Sequence, residues 1–253
     1  MFKMPLASQI EARVGVVMIP DAQRLKLELG NSFDLGQISN DEDFKMNWGG
    51  DFFTFTRLRS EGKFKFPVET TDYYFGLNTT AQFNLWNYKW DTRLRLGHIS
   101  AHIIDGYTNY QKNFSKPVVY SREFIDLLLL INISEDLRIY GGMNFIISTI
   151  PDEINLFEPQ FGFDYKKNII SERVDFVVGY DFRMVGSRSF QSVKIENYYN
   201  NTIKAGLEFK TWNDLGIRVL YYGYDGMSEY GMFVGKKISL SNSHSLAIEL
   251  KYY

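Results

Sequence analysis

Hydrophobic and polar residues alternate one by one along most of this chain. In residues 24–29, leucine occupies every second position and charged residues occupy the others. The same period of two recurs in several other segments, namely 14–18, 33–35, 137–147, 174–182, 193–197, 203–209, 215–221 and 246–252. Successive side chains of a β-strand point to opposite faces, so this period predicts strands. We find no helical stripe longer than two turns, and the pattern therefore predicts an all-β protein of 12–14 strands.

Composition favours a membrane barrel. The alternative is a large soluble β-barrel or β-sandwich. Aromatic residues make up 17% of the chain, and many lie near the ends of the predicted strands, as in the aromatic girdles of membrane barrels. These residues are Trp48, Trp86, Tyr88, Trp90, Tyr221, Tyr222, Tyr252 and Tyr253. The mean hydropathy of −0.24 fits a barrel, in which only every second residue is apolar. We therefore predict an antiparallel transmembrane β-barrel in the outer membrane of a Gram-negative bacterium.

Charge, cysteine content and length indicate which partners, cross-links and domains to expect. The net charge of −2 argues against a nucleic-acid partner. The absence of cysteine excludes disulfides and thiolate metal sites, and suits a protein that crosses the periplasm. Residues 1–253 contain no linker or low-complexity tract, so they are expected to form a single barrel domain. The first residues lack the regions of a signal peptide, and we expect that peptide to have been removed from this chain.

The run His98-Ile-Ser-Ala-His102 is the most distinctive feature of the sequence. It follows a strand-like stretch in which Leu94 and Leu96 alternate with arginines. Continuing that alternation places His98, Ser100 and His102 on the leucine face, which meets lipid in a membrane barrel. Polar side chains on a lipid-facing wall reduce stability. Their presence is explained if the substrate is itself a lipid.

Topology predicts which end of the barrel carries this run. Outer-membrane barrels have short periplasmic turns and longer outer loops. Counting strands back from the C-terminus places the turn at 134–136 on the periplasmic side and the long segment 104–117 outside. Loop length and strand parity therefore agree that the run lies at the outer-leaflet end of its strand.

These residue types suggest nucleophilic catalysis. A serine becomes a competent nucleophile when a histidine takes its proton and a third group orients that histidine. We predict Ser100 as the nucleophile and His98 as the general base. The next strand places Glu123 on the same outward face, and we expect it to orient the histidine. Ser121 is the second choice for that role and Asp105 the third.

Other interpretations of the same residues remain open. A bulge near Gly97 would switch the register and turn His98 and Ser100 into the lumen. A metal site built from both histidines is disfavoured, because residues four apart on a strand are separated by roughly 13 Å. His102 and Asp105 alone form a candidate binding pair, either for a cation or to cap the loop, which leaves calcium open as a cofactor.

The His-x-Ser step on a lipid-facing strand resembles outer-membrane phospholipase A and the lipid A 3-O-deacylases. In those barrels the active site lies on the outside wall, and the third catalytic residue is Asn in one family and Glu in the other. His98 and Ser100 match the pair, and Ser121-Arg122 resembles a Ser-Arg step in the next strand of the phospholipase. Residues 101–103 differ from the Asn-Gly-Arg of the phospholipase, and Ile125 stands where its Asn would align. The resemblance implies an esterase acting on phospholipid or lipopolysaccharide of the outer leaflet.

A broader resemblance covers most of the chain. Four segments, 98–105, 121–123, 140–142 and 221–231, resemble a family of bacterial outer-membrane proteins catalogued only as a domain of unknown function. This resemblance implies the compartment and supplies no activity. The alternative function is therefore a non-enzymatic barrel, either a narrow channel or a structural partner of other outer-membrane proteins or of a second copy of itself. A lumen free of crossing salt bridges would favour the channel.

Overall fold

Twelve strands form one closed antiparallel barrel. The structure is a computed structural model that describes residues 2–20, 23–104, 106–107, 117–152, 155–188, 195–211, 215–234 and 243–252. The strands within these ranges are Val14–Ile19 (β1), Arg24–Asn40 (β2), Phe44–Arg59 (β3), Val68–Leu85 (β4), Tyr88–Ile103 (β5), Tyr120–Asn132 (β6), Leu137–Ile150 (β7), Phe157–Ile170 (β8), Val174–Arg188 (β9), Ile195–Lys210 (β10), Leu215–Asp225 (β11) and Ser243–Tyr252 (β12). Each strand pairs with its neighbours in sequence, and β1 pairs with β12 to close the sheet. The predicted all-β barrel is confirmed, with the lower of the expected strand numbers.

The connections between strands differ in length at the two ends of the barrel. One end, here called the short-turn end, carries the connections 41–43, 86–87, 133–136, 171–173 and 211–214. The opposite, long-loop end carries 20–23, 60–67, 104–119, 151–156, 189–194 and 226–242. Across the described residues, no helix is long and apolar enough to cross a membrane.

The wall has an apolar outer face and a charged inner face. On β5 and β6 the exposed residues include Leu94, Leu96 and Leu127, whereas Arg95 and Asp126 between them are buried. This division follows from the period of two in the sequence, because a closed sheet turns one set of side chains outward and the other inward.

Residues 2–13 enter the lumen from the short-turn end and fill it. The Glu11 carboxylate accepts hydrogen bonds from Arg93 Nη1 at 2.6 Å and from Arg95 Nη2 at 3.3 Å. The backbone N–H of Leu6 donates to Asp164 at 3.0 Å. This segment was not predicted from the sequence, because it lacks the alternation that marks the strands.

Residues 226–234 enter the lumen from the long-loop end. The Gly231 N–H donates to Asp72 Oδ2 at 2.7 Å, and Lys26 Nζ lies 2.8 Å from the Glu229 carboxylate. This segment and residues 2–13 leave a cavity of about 100 Å³ between them. The lumen is therefore occupied from both ends.

Tyr222 belongs to this filling and not to an aromatic girdle. Its side chain is buried, and its hydroxyl donates to the Glu229 carboxylate at 2.7 Å. Tyr221, the preceding residue, is 42% exposed on the outer face. The expectation that both tyrosines belong to a girdle was wrong for Tyr222, because adjacent strand residues point to opposite faces.

Candidate active site on the outer wall

Strand β5 turns the His98–His102 run to the outside of the barrel. Ala101 is 7% exposed, and Ile99 and Ile103 pack against the buried core. His98, Ser100 and His102 alternate with these inward residues, so they lie on the outer face together with Leu94 and Leu96. The run lies at the long-loop end of the strand.

Gly97 does not mark a bulge. The pairing of β4 with β5 runs without a register shift from Leu85 opposite Tyr88 to Thr70 opposite Ile103. A Cβ on Gly97 would lie 2.5 Å from the Phe124 ring and 3.0 Å from the Tyr74 hydroxyl. The alternative in which a bulge turns the motif inward is therefore wrong. The Phe124 ring and the Tyr74 hydroxyl occupy the space that a larger residue would need at this position.

His98 and Glu123 form the best-defined polar contact on this face. They are direct cross-strand partners on β5 and β6, and His98 Nδ1 lies 2.8 Å from Glu123 Oε1. Their side chains are 40% and 41% exposed. An ionised carboxylate only accepts hydrogen bonds, so Nδ1 carries the hydrogen and Nε2 is the nitrogen that can accept a proton. This is the orientation that a general base requires.

A β-bulge lies directly beside Glu123. The register between β6 and β7 shifts after Glu123, which pairs with Ser148, whereas Phe124 pairs with Ile146. Ile147 is the extra residue, and Ile147 and Ser148 are both exposed. Bulges re-aim side chains and are frequent next to active sites. Here the bulge adds the hydroxyl of Ser148 to the outer face beside the carboxylate, and no signal in the sequence predicted it.

Ser100 contacts a different histidine from the one expected. Its Oγ lies 3.3 Å from Nε2 of His102, whose ring packs edge-on against Tyr73 at 5.6 Å between ring centres. Among the contacts of the described residues, the hydrogen bond predicted between Ser100 and His98 is not formed. His98 lies two positions along the same face, so the serine has one histidine on each side of it.

Two further residues, Ser121 and Asp105, were predicted to belong to the site. Ser121 is the direct cross-strand partner of Ser100 and is partly exposed, so it borders the site. Among the described residues, no hydrogen bond joins it to His98 or Glu123. Asp105 lies outside the described residues. Within the described ranges, no group of three or more His, Asp or Glu side chains is arranged to hold a metal ion.

Apolar side chains surround this polar patch on the outer face. Phe75 lies beside the His98 ring at 6.4 Å between ring centres, and Phe75 and Leu96 are about half exposed. Ile125, Leu127 and Leu129 continue the apolar face below Glu123 on β6. A polar cluster of His98, Ser100, His102, Ser121, Glu123 and Ser148 is thus set into a hydrophobic wall.

Comparison with known proteins places the fold among outer-membrane barrels. The solved structure of outer membrane phospholipase A from Escherichia coli is similar, with a TM-score of 0.53 and 10% sequence identity. The similarity covers 91% of this chain and 80% of that protein. At this identity the similarity shows a shared fold. No curated protein matches the chain in sequence.

A family match covers most of the chain. Residues 67–247, which include β5, β6 and the whole polar cluster, match the family described as "Protein of unknown function (DUF1207)". The match covers more than half of the sequence. The chain therefore belongs to the DUF1207 family.

Proposed function

We propose that this protein is a lipid esterase of the bacterial outer membrane, of the phospholipase or lipid A deacylase type. Its site comprises Ser100, His98 and Glu123 on the outer wall of the barrel. The observation that carries the proposal is the carboxylate-bound histidine beside a serine, within a polar cluster that is surrounded by apolar side chains on the outer face. Both hydrolysis of phospholipid and deacylation of lipid A require the same chemistry at an acyl ester.

The position of the cluster supports a lipid substrate. A polar group in hydrocarbon is unfavourable unless it is hydrogen-bonded, and leucine would be the more stable residue at these outward positions. The cluster lies at the long-loop end, which in outer-membrane barrels faces the cell exterior. A lipid of the outer leaflet would therefore bring its ester groups to the level of Ser100 by lateral diffusion alone.

The proposed reaction follows from the hydrogen-bond directions. Glu123 holds Nδ1–H of His98 and leaves Nε2 as the base. In the proposed reaction the Ser100 oxygen stays beside His102 Nε2 and directs its own hydrogen toward Nε2 of His98. The serine oxygen then attacks the ester carbonyl while His98 takes the proton. His98 returns that proton to the departing alcohol, and water hydrolyses the acyl-enzyme by the same steps.

The interior of the barrel supports this function over a channel. Residues 2–13 enter the lumen from one end and residues 226–234 from the other, and both are tied to the wall by hydrogen bonds. Arg95 crosses toward Asp51 as well, with Nε 3.0 Å from the carboxylate. Among the described residues, contacts that cross the lumen in this way favour the esterase over the channel.

The test is fatty-acid release from mixed micelles of phospholipid and lipopolysaccharide by the refolded barrel, with and without calcium. We expect Ser100→Ala and His98→Ala to reduce the rate by about 10³-fold or more, the usual effect of removing the nucleophile or base. His244→Ala is the matched control, because His244 is an exposed histidine at the long-loop end of β12, a strand that does not pair with β5 or β6. Heat-modifiable gel migration establishes folding of each variant. A folded wild-type barrel that releases no fatty acid under any condition would overturn the proposal.

A further inference from the structure

The backbone at Ser100 and Ala101 is paired with a neighbouring strand on both sides. Ser100 pairs with Tyr73 on one side and Ser121 on the other. Ala101 likewise pairs with Asp72 and Tyr120. In a strand paired on both edges, the N–H groups are used in the hydrogen-bond ladders of the sheet.

This pairing matters because acyl transfer requires hydrogen-bond donors for the oxyanion that develops on the ester carbonyl. Backbone N–H groups at the nucleophile and its neighbours commonly supply them. The doubly paired strand has none to offer at Ser100 or Ala101. The outward side chains beside Ser100 are therefore the groups of this chain that can donate to the oxyanion.

His102 is placed to be that donor. Its Nε2 lies 3.3 Å from Ser100 Oγ, and an oxyanion bonded to the carbon under attack forms close to that oxygen. The ring packs edge-on against Tyr73, and the His102 carbonyl accepts a hydrogen bond from Thr70 Oγ1 at 2.9 Å. Pairing with β6 ends at Ala101, whereas pairing with β4 continues to Ile103. The His102 ring is thus packed against β4 on one side, and on the side toward β6 it is open to a substrate.

We propose that His102 is the oxyanion donor of this site, an inference that rests on the esterase function proposed above. As the bond from Ser100 Oγ to the ester carbon forms, the carbonyl electron pair moves onto its oxygen and His102 Nε2–H donates to it. The serine proton passes to His98. On collapse the carbon–alkoxide bond breaks and the alcohol takes the proton from His98. His102 keeps its own hydrogen throughout.

The two histidines thereby have separate roles, His98 as the base and His102 as the hydrogen-bond donor, and their contacts differ accordingly. Glu123 stabilises the positive charge that His98 acquires when it takes a proton. His102 instead contacts the serine through Nε2. An amide side chain can replace a hydrogen-bond donor but cannot replace a base, so glutamine separates the two roles.

The experiment compares His102→Ala, His102→Gln and His98→Gln in steady-state hydrolysis of a long-chain p-nitrophenyl ester in micelles. We expect His102→Ala to lower kcat by about 10²–10³-fold with little change in KM, as for loss of one oxyanion-hole donor. His102→Gln should recover about tenfold or more of that loss, because the glutamine amide restores a hydrogen-bond donor. His98→Gln should be as inactive as Ser100→Ala.

The other outcomes are equally decisive. Equal inactivity of His102→Ala and His102→Gln, together with activity in His98→Gln, would make His102 the base and overturn the inference while keeping the esterase. Full activity of His102→Ala, with Ser100→Ala inactive, would also overturn the inference alone. Wild-type hydrolysis that survives in Ser100→Ala would remove the proposed function itself.

Discussion

Arg95 and His98 stand three residues apart on β5, and each contacts a carboxylate, one inside the barrel and one outside. The Arg95 side chain is fully buried and binds Asp51 at 3.0 Å and Glu11 at 3.3 Å. The side chains of His98 and Glu123 are about 40% exposed and meet at 2.8 Å. One wall thus carries two carboxylate contacts in opposite environments.

The two contacts serve different purposes, and their bonding shows which. Arg95 uses all three guanidinium nitrogens, since it also donates to the Ile10 carbonyl at 3.1 Å and the Tyr74 hydroxyl at 3.3 Å. A buried group so fully bonded has little capacity left for chemistry, and its role is to hold residues 2–13 in the lumen. The outer pair uses one imidazole nitrogen on the carboxylate, which leaves the second nitrogen available to a substrate.

Removal of the inner cation gives the largest expected effect on stability. Arg95→Met leaves the carboxylates of Asp51 and Glu11 without one of their buried partners, and such a loss costs about 3–5 kcal/mol. We expect a matching fall in the free energy of unfolding, measured with urea in lipid vesicles. A cost below about 1 kcal/mol would show that the inner network is not structural.

Gly97 lies between the two contacts and tests the inner packing of the wall. Gly97→Ala would place a methyl group 2.5 Å from the Phe124 ring, and overpacking of this kind costs about 1–3 kcal/mol. Gly141→Ala is the matched control, because its nearest atom is the Gln160 carbonyl at 3.9 Å. Equal unfolding free energies for the two variants, measured in the same vesicles, would contradict the close packing described here.

Replacement of the outer pair gives the smallest expected change in stability. The double variant His98→Leu/Glu123→Leu should unfold within about 1 kcal/mol of wild type, because polar side chains near the membrane interface contribute little. The same variant should lose ester hydrolysis. A loss of several kcal/mol would instead assign the outer pair the structural role that Arg95 has inside.

Much of this arrangement could be predicted from sequence because it depends on local alternation. The outward direction of His98 and Ser100 follows from the leucines before them, and the outward direction of Glu123 from the apolar residues after it. The closed barrel follows from the repetition of that pattern along the chain. A period of two needs no knowledge of distant contacts.

The parts that sequence could not predict depend on register and on distant residues. Glu11 binds Arg93 inside the lumen although the two are 82 positions apart in the chain. The bulge at Ile147 shifts the register of β7 against β6 by one residue, and the residue types in β7 do not indicate where that shift occurs. Which of the two histidines Ser100 contacts depends on side-chain rotamers, and the alternation of residues does not determine these.

The occupied lumen has a consequence for a membrane that holds this barrel. A pore of twelve strands without contents would leak small solutes, and each added copy would weaken the permeability barrier. With residues 2–13 and 226–234 packed inside, we expect each copy to add little leakage. Such a barrel can be abundant in the membrane without dissipating solute gradients across it.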